Sequence, residues 1–390
     1  MRQPFDYITN RKQTHSVKWD GVQTFFGSDD LLPMWVADMD FQAPAPVRQA
    51  LQKAVDHGIF GYAMTTNETN ETIVNWMQKR HGWKIESEWL VYSPGIVFAI
   101  SMAIQALTEP QDAVLIQTPV YAPFFNMIKQ NERTLIENPL VLQNERYIMD
   151  FEDLEEKLKQ NVKMMILCSP HNPGGRVWTK EELENVYRLC QKYDVILLSD
   201  EIHADLVHKP HVHIPISSLS HRDSSKVITF ISPSKTFNLA GLQASAAIIE
   251  HKEIREAFTR MQQKQGFFSL NALGIIGLEA AYRDGEEWLE HLLAYLQDNI
   301  QSASRFIRER LPKLKVMEPE GTYLIWIDCR GLGLSDARIR TLLLEQGKIA
   351  LEPGTKYGQY GSGFVRLNIG CPRELLEDGL ERLYQSFSPI

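Results

Sequence analysis

An α/β fold, with a large domain built on a mainly parallel sheet flanked by helices and a smaller α+β domain after it, is what this sequence predicts. From about residue 90 to 250, short apolar runs alternate with longer amphipathic stretches: "DAVLIQTP", "VKMMILCSP", "DVILLSDE", "KVITFISPS" and "ASAAIIE" read as buried strands, with helices such as "TKEELENVYRLCQKY" between some of them. That alternation argues for parallel strands covered by helices on both faces. Several runs end in small, polar or proline residues, namely "TPVY", "SPHNPGG", "SDEIH" and "SPSK". In an open α/β sheet, ligands bind outside the carboxyl ends of the strands, so a site is expected there.

After about residue 285 the texture changes. A long amphipathic helix, "EEWLEHLLAYLQDNIQSASRFIRERL", leads to the strand-like "TYLIWIDCR", the helix "SDARIRTLLLEQG", the strand-like "GFVRLNIG" and a last helix. We expect an N-terminal segment over 1–48 packed with the small domain, a large domain over 49–287 and a small C-terminal domain over 288–390. No internal repeat or low-complexity tract is visible.

The chain has 390 residues and is 44% hydrophobic, enough to bury a large core without staples. Its net charge of −8 comes from interspersed acids and bases with no long basic run, which argues against nucleic acid or an anionic membrane as partner and for a small molecule. Cys168, Cys190, Cys329 and Cys371 are too widely separated for a CxxC pair or a zinc ribbon, and no metal is expected. They read as buried thiols of a reducing compartment. The N-terminus lacks the apolar core of a signal peptide, and "IVFAISMAIQAL" is too short to span a bilayer, so a cytoplasmic protein is expected.

The strand ends supply Asn172 in "HNPGG", Asp200 and His203 in "DEIH", and Lys235 flanked by Ser232 and Ser234. Gly95 in "SPGIVFA" opens a helix whose first residues are Ile96 and Val97. A lysine amine can form a Schiff base with an aldehyde, and a buried carboxylate can keep a pyridine nitrogen protonated so that the ring accepts electrons. Those two demands describe pyridoxal 5'-phosphate (PLP). Its phosphate needs backbone N–H groups and hydroxyls, available at the helix start after Gly95 and at Ser232 and Ser234. Its ring oxygen needs a neutral donor, a task suited to Asn172.

With these residues in order, the chain resembles the fold type I PLP enzymes of the aspartate-aminotransferase superfamily. The segments "WVADMDF", "GIFGY", "SPHNPGGRVW", "SDEIHADL" and "SPSKTFNLAGLQ" are similar to the MalY/PatB family of cystathionine β-lyases, from about residue 30 to the C-terminus. The resemblance implies a homodimeric C–S β-lyase that cleaves cystathionine or related cysteine S-conjugates to a thiol (homocysteine), pyruvate and ammonia. It implies Lys235 as the Schiff-base lysine, Asp200 as partner of the pyridine nitrogen and Asn172 as partner of the ring oxygen. Tyr121 would stack on the ring, Tyr62 would be donated across the dimer, and Arg366 would clamp the substrate carboxylate. An arginine fork suits a carboxylate better than a lysine does. The same resemblance sets Trp35 and Ala37 along the substrate site. Two positions depart from the general aminotransferase pattern: His203 stands where a tyrosine is usual, and Gln243 where a phosphate-binding arginine is usual.

Each residue also has a plainer reading. Lys235 alone is a surface lysine beside a turn, Asp200 a helix cap, "HNPGG" a turn, His203 a core histidine, Tyr62 and Tyr121 core aromatics, and Arg366 a structural ion-pair former. The ordered spacing of the motifs favours the functional readings. Tyr323 and Trp326 in "EGTYLIWID" read as core of the small domain. An aminotransferase uses the same residues for its first half-reaction, and a PLP-bound regulator acting through a protein partner is a third possibility, so both stand as alternatives to the lyase.

Overall fold

The computed structural model describes residues 4–219 and 226–388. The first three and last two residues of the expected terminal segments lie outside the described residues. A seven-stranded sheet is built from β1 (Leu90–Ser93), β2 (Ala113–Thr118), β3 (Thr134–Pro139), β4 (Val162–Cys168), β5 (Ile196–Asp200), β6 (Val227–Ile231) and β7 (Ser245–Ile248), in the order β1-β7-β6-β5-β4-β2-β3. The pairs β3/β2, β2/β4, β4/β5 and β5/β6 are parallel. β7 runs antiparallel to both of its neighbours, so the sheet is mixed there.

Side chains alternate across this sheet, as a period of two requires. Met164, Ile166 and Cys168 of β4 join Leu198 and Ile228 in a core shared with the helices Ile96–Leu107 and Lys252–Lys264. Met165 and Leu167 face the other way, toward the helices Phe151–Leu158 and Lys180–Lys192. Both faces are therefore dry, which is why these strands read as unbroken apolar runs. The sequence reading omits β1 and β3. Both are edge strands, and β3 is only partly buried along most of its length, so neither carries a strong apolar signature.

Helix starts follow their local chemistry. Thr179 and Glu182 close a reciprocal capping box at the start of Lys180–Lys192. Helix Ile96–Leu107 begins instead at Gly95, which offers no capping side chain.

A second, antiparallel sheet holds β8 (Lys315–Met317), β9 (Leu324–Asp328), β10 (Glu352–Pro353) and β11 (Phe364–Asn368), in the order β8-β9-β11-β10. The 25-residue helix Glu286–Arg310 and the helix Arg373–Phe387 pack together beside it. The N-terminal segment joins this part of the molecule: Leu32–Pro33 pairs in parallel with Ile349–Ala350, and the Asn368 amide donates to the Met34 carbonyl. All four cysteines are free and buried. Among the described residues no helix is long and apolar enough to cross a membrane.

Candidate active site

The carboxyl ends of β4, β5 and β6 meet in a cavity of about 360 Å³. β4 runs out into Cys168 and then Asn172, whose backbone N–H points to Cys168 Sγ at 3.4 Å. β5 ends on Asp200, and the Ile202 amide donates to its Oδ1 at 3.1 Å. That bond closes a tight turn over residues 200–202, and the Ala204 amide donates to the Glu201 carbonyl to close the next one around His203. β6 ends on Ile231, and Ser232 caps the short helix Pro233–Thr236 that carries Lys235.

Of the residues singled out from the sequence, Gly95, Ile96, Val97 and Tyr121 line this cavity, as do Asn172, Asp200, His203, Ser232, Ser234 and Lys235. Ser232 Oγ lies 2.8 Å from Ser234 Oγ and 2.8 Å from the Ala244 carbonyl, so the two hydroxyls form one polar corner. Gln243 also lines the cavity, in the left-handed backbone region. Lys235 is the one cation in the lining among the described residues, so the charge missing at Gln243 has no replacement there.

Arg366, on β11, reaches the site from the second sheet. Its Nη1 donates to Asn172 Oδ1 at 3.0 Å and its Nη2 to the Trp35 carbonyl at 2.7 Å. Trp35 thus contributes its backbone. Its indole turns away, donates to the Lys18 carbonyl and packs on Phe25 and Phe26, so a substrate-facing Trp35 side chain is not what the fold produces. Ala37 lines the cavity, and its carbonyl accepts from Lys235 Nζ at 2.6 Å. Tyr62 lies outside the cavity and is fully exposed on this chain.

Two residues escaped the sequence reading. Cys168 was detectable, since it is the last residue of a strand whose end was already suspect. Tyr323 was not: its position in an apolar strand-like run signals core, yet its hydroxyl donates to the Ala37 carbonyl at 2.9 Å.

Burial governs the electrostatics. It pushes Asp200 up to about 7, against the opposing pull of the Ile202 amide and of Lys235. It lowers Lys235 to about 8, aided by Arg366 and opposed by Asp38 and Asp200. His203 is held neutral by burial and by the charges of Lys235 and Arg366. A carboxylate driven up and an amine driven down in one dry pocket mark a chemical site rather than a structural one. At this site two buried atoms, His203 Nδ1 and Arg366 Nε, have no hydrogen-bond partner among the described residues. Such atoms cost free energy unless a ligand meets them.

These features fit PLP. A lysine amine stands beside a buried carboxylate that makes no ion pair among the described residues. The uncapped helix start at Gly95 and two hydroxyls offer donors suited to a phosphate. The arrangement defines a site for an aldehyde cofactor with a basic ring.

The chain belongs to the aminotransferase class I and II family, which it matches over residues 30–383. Within that family it is 48% identical to cystathionine β-lyase PatB of Bacillus subtilis, over 98% of this chain and 100% of that protein. Among solved structures, a PLP-bound protein of Clostridium difficile 630 described as an aminotransferase superposes with a TM-score of 0.97 at 45% identity, covering 98% of this chain and 99% of that one. The PLP-bound C–S lyase of Staphylococcus hominis gives a TM-score of 0.92 at 32% identity, covering 99% and 98%.

Proposed function

We propose that this protein is a PLP-dependent carbon–sulfur β-lyase acting on cystathionine or related cysteine S-conjugates. The observation that carries it is that buried Asp200 and part-buried Lys235 line one cavity with pKa values displaced toward each other, in a chain 48% identical to PatB.

When bound, PLP supplies an aldehyde that takes up the substrate amine and a pyridine ring that accepts the electron pair left at Cα. Asp200 keeps the ring nitrogen protonated, and in a dry pocket that charge pairing is stronger than in water. Asn172 and Tyr121 orient the ring, while Ser232, Ser234 and the backbone of Ile96 and Val97 hold the phosphate. Arg366 binds the substrate carboxylate, placed for it by Asn172 and the Trp35 carbonyl. Lys235 takes the Cα proton. Burial, which lowers its pKa to about 8, makes the amine easier to hold neutral than that of an ordinary lysine. The Cβ–S bond then breaks, sulfur leaves as thiolate, and the Lys235 ammonium returns a proton to it. Lys235 would then displace the three-carbon enamine from the cofactor, and water would convert the freed enamine to pyruvate and ammonia.

The test is to purify the protein, record its visible-edge absorbance, and add cystathionine without a keto acid. Pyruvate and free thiol in equal amounts support the lyase. Conversion of the cofactor to its amine form without pyruvate overturns it in favour of an aminotransferase.

The working unit on this reading is a cytoplasmic homodimer, with the two sheets as separate domains bounded near residue 288. Exposed Ile59, Phe60, Tyr62 and Met64 on one coil segment supply apolar surface for a second subunit and allow Tyr62 to serve its site. Mixing Tyr62→Phe with Lys235→Ala subunits should restore one intact site per mixed dimer; no recovery of pyruvate release excludes the sharing.

A further inference from the structure

The Ala37 carbonyl accepts two hydrogen bonds, from Lys235 Nζ at 2.6 Å and from the Tyr323 hydroxyl at 2.9 Å. Neither donor is there by accident of a loose surface. Tyr323 is completely buried, and its ring meets the His203 ring edge-on at 6.0 Å. The turn that delivers it is over-determined. Thr322 adopts a φ of +74°, a region that β-branched residues rarely enter. It is held there by three bonds: its amide donates to the Leu206 carbonyl at 2.6 Å, His208 Nε2–H donates to its carbonyl at 2.6 Å, and the Leu324 amide donates to its hydroxyl at 3.1 Å. Backbone held in a sparse region by its surroundings is a recurring feature of functional sites.

The segment bearing Ala37 is pinned as firmly. Asn238, three residues after Lys235, accepts from the Met39 amide at 3.0 Å and donates to the carbonyls of Met39 and Phe41 at 2.8 Å each. Asn368, two residues after Arg366, donates to the carbonyls of Val36 and Asp38. The Ala37 carbonyl is therefore fixed between the lysine segment and the arginine strand, and Tyr323 sets its direction.

We infer that Tyr323 is a positioning residue: through the Ala37 carbonyl it fixes the place at which the Lys235 amine is held when that amine is not bonded to the cofactor, and so aims it at the substrate Cα proton. This rests on the lyase reading above for its consequence in turnover, but the contact itself does not depend on it. The charged groups acting on Lys235 are Asp38 and Asp200, which favour the ammonium, and Arg366, which opposes it. The Tyr323 hydroxyl adds no charge. It acts by sharing the carbonyl oxygen with the ammonium and fixing where that ammonium sits; without the hydroxyl the segment stays pinned by Asn238 and Asn368, and the carbonyl, freed of a competing donor, holds the ammonium more tightly.

The experiment compares full-length wild type with Tyr323→Phe, which keeps the buried ring and removes only the hydroxyl. In cofactor-stripped protein, acylation of Lys235 by acetic anhydride is followed against pH by mass spectrometry. The midpoint should move to higher pH in the variant, because the carbonyl then holds the ammonium without a competing donor, while PLP affinity on reconstitution is unchanged. In the loaded enzyme kcat should fall about tenfold, the weight of one hydrogen bond to a charged partner's acceptor, with KM within about twofold, and Cα-deuterated cystathionine should show a larger isotope effect because proton removal has become slower. A purely structural role would move neither midpoint nor isotope effect, and a variant matching wild type in both overturns the inference. If wild type releases no pyruvate, the lyase reading fails while the acylation midpoint still decides the role of Tyr323.

Discussion

Two clusters of buried charge sit four residues apart along the "HNPGGR" loop and differ in how completely their polar atoms are matched. In the first, Arg176 is almost wholly buried and gives its guanidinium to protein partners: Glu182 at 2.8 Å, Glu320 at 3.1 Å and the Tyr147 carbonyl at 2.5 Å, with the group stacked over Trp178. Glu320 also accepts from Arg146 and from the Val177 amide. Burial pushes the Glu320 carboxyl up, but these donors and the Arg176 charge bring it below its ordinary value. In the second cluster, burial wins at Asp200, and His203 Nδ1 and Arg366 Nε have no partner among the described residues. The closed cluster ties the turn before β9 to the loop after β4, and the open one is left to be completed by a ligand. Unmatched buried atoms also occur elsewhere, as at Asn299 and Ser304, so what sets the second cluster apart is that its unmatched atoms gather with Asp200 and Lys235 around one cavity.

That contrast can be broken. Lys235→Ala should cut pyruvate release about a thousandfold, within the range for a lost general base, with a melting temperature no lower than that of wild type. A large fall in stability would make Lys235 a structural residue and erase the distinction. Glu320→Ala should behave in the opposite way. Breaking a buried ion pair leaves Arg176 and Arg146 short of a partner and should cost about 3 kcal/mol of unfolding free energy, while kcat/KM per folded molecule stays within about twofold. A selective loss of activity there would move the closed cluster into the catalytic machinery.

The smallest expected effect sharpens the comparison through pH. Asp200 has a pKa of about 7 in the folded chain against an ordinary 3.8, so the folded state binds its proton more tightly than the unfolded state does. The stability this group contributes is complete below about pH 4 and is lost as pH rises through about 7. Asn copies the protonated form without titrating. Cofactor-free Asp200→Asn should therefore melt a few degrees above wild type at pH 8, with the gap closing toward pH 4, while the loaded variant loses activity. Equal melting temperatures across that range would mean that Asp200 is not carrying an uncompensated buried charge.

Much of this was legible in advance. The inner strands announced themselves because both faces are covered, whereas β1 and β3, at the sheet edges, did not. Lys235, Asp200 and Asn172 were readable because each follows an apolar run at a strand end, where chain topology alone sends ligand-binding residues. Arg176 drew no reading from the sequence, since nothing local reveals a partner 144 residues away at Glu320. The direction of the Trp35 indole was not legible either: its segment borders the cavity through its backbone, but the way a single side chain turns depends on neighbours such as Phe25 and Phe26.

The inner strands and the polar residues at their carboxyl ends follow from the chain alone, because apolar periodicity and turn chemistry are local properties, whereas the roles expected of those residues came from family resemblance. Tertiary structure alone decided which groups share a carbonyl, as Lys235 and Tyr323 do at Ala37, and which buried atoms are left without a partner among the described residues, as at His203 and Arg366. Those depend on the meeting of segments hundreds of residues apart, and desolvation, which displaces the Lys235 and Asp200 pKa values, exists only once they have met.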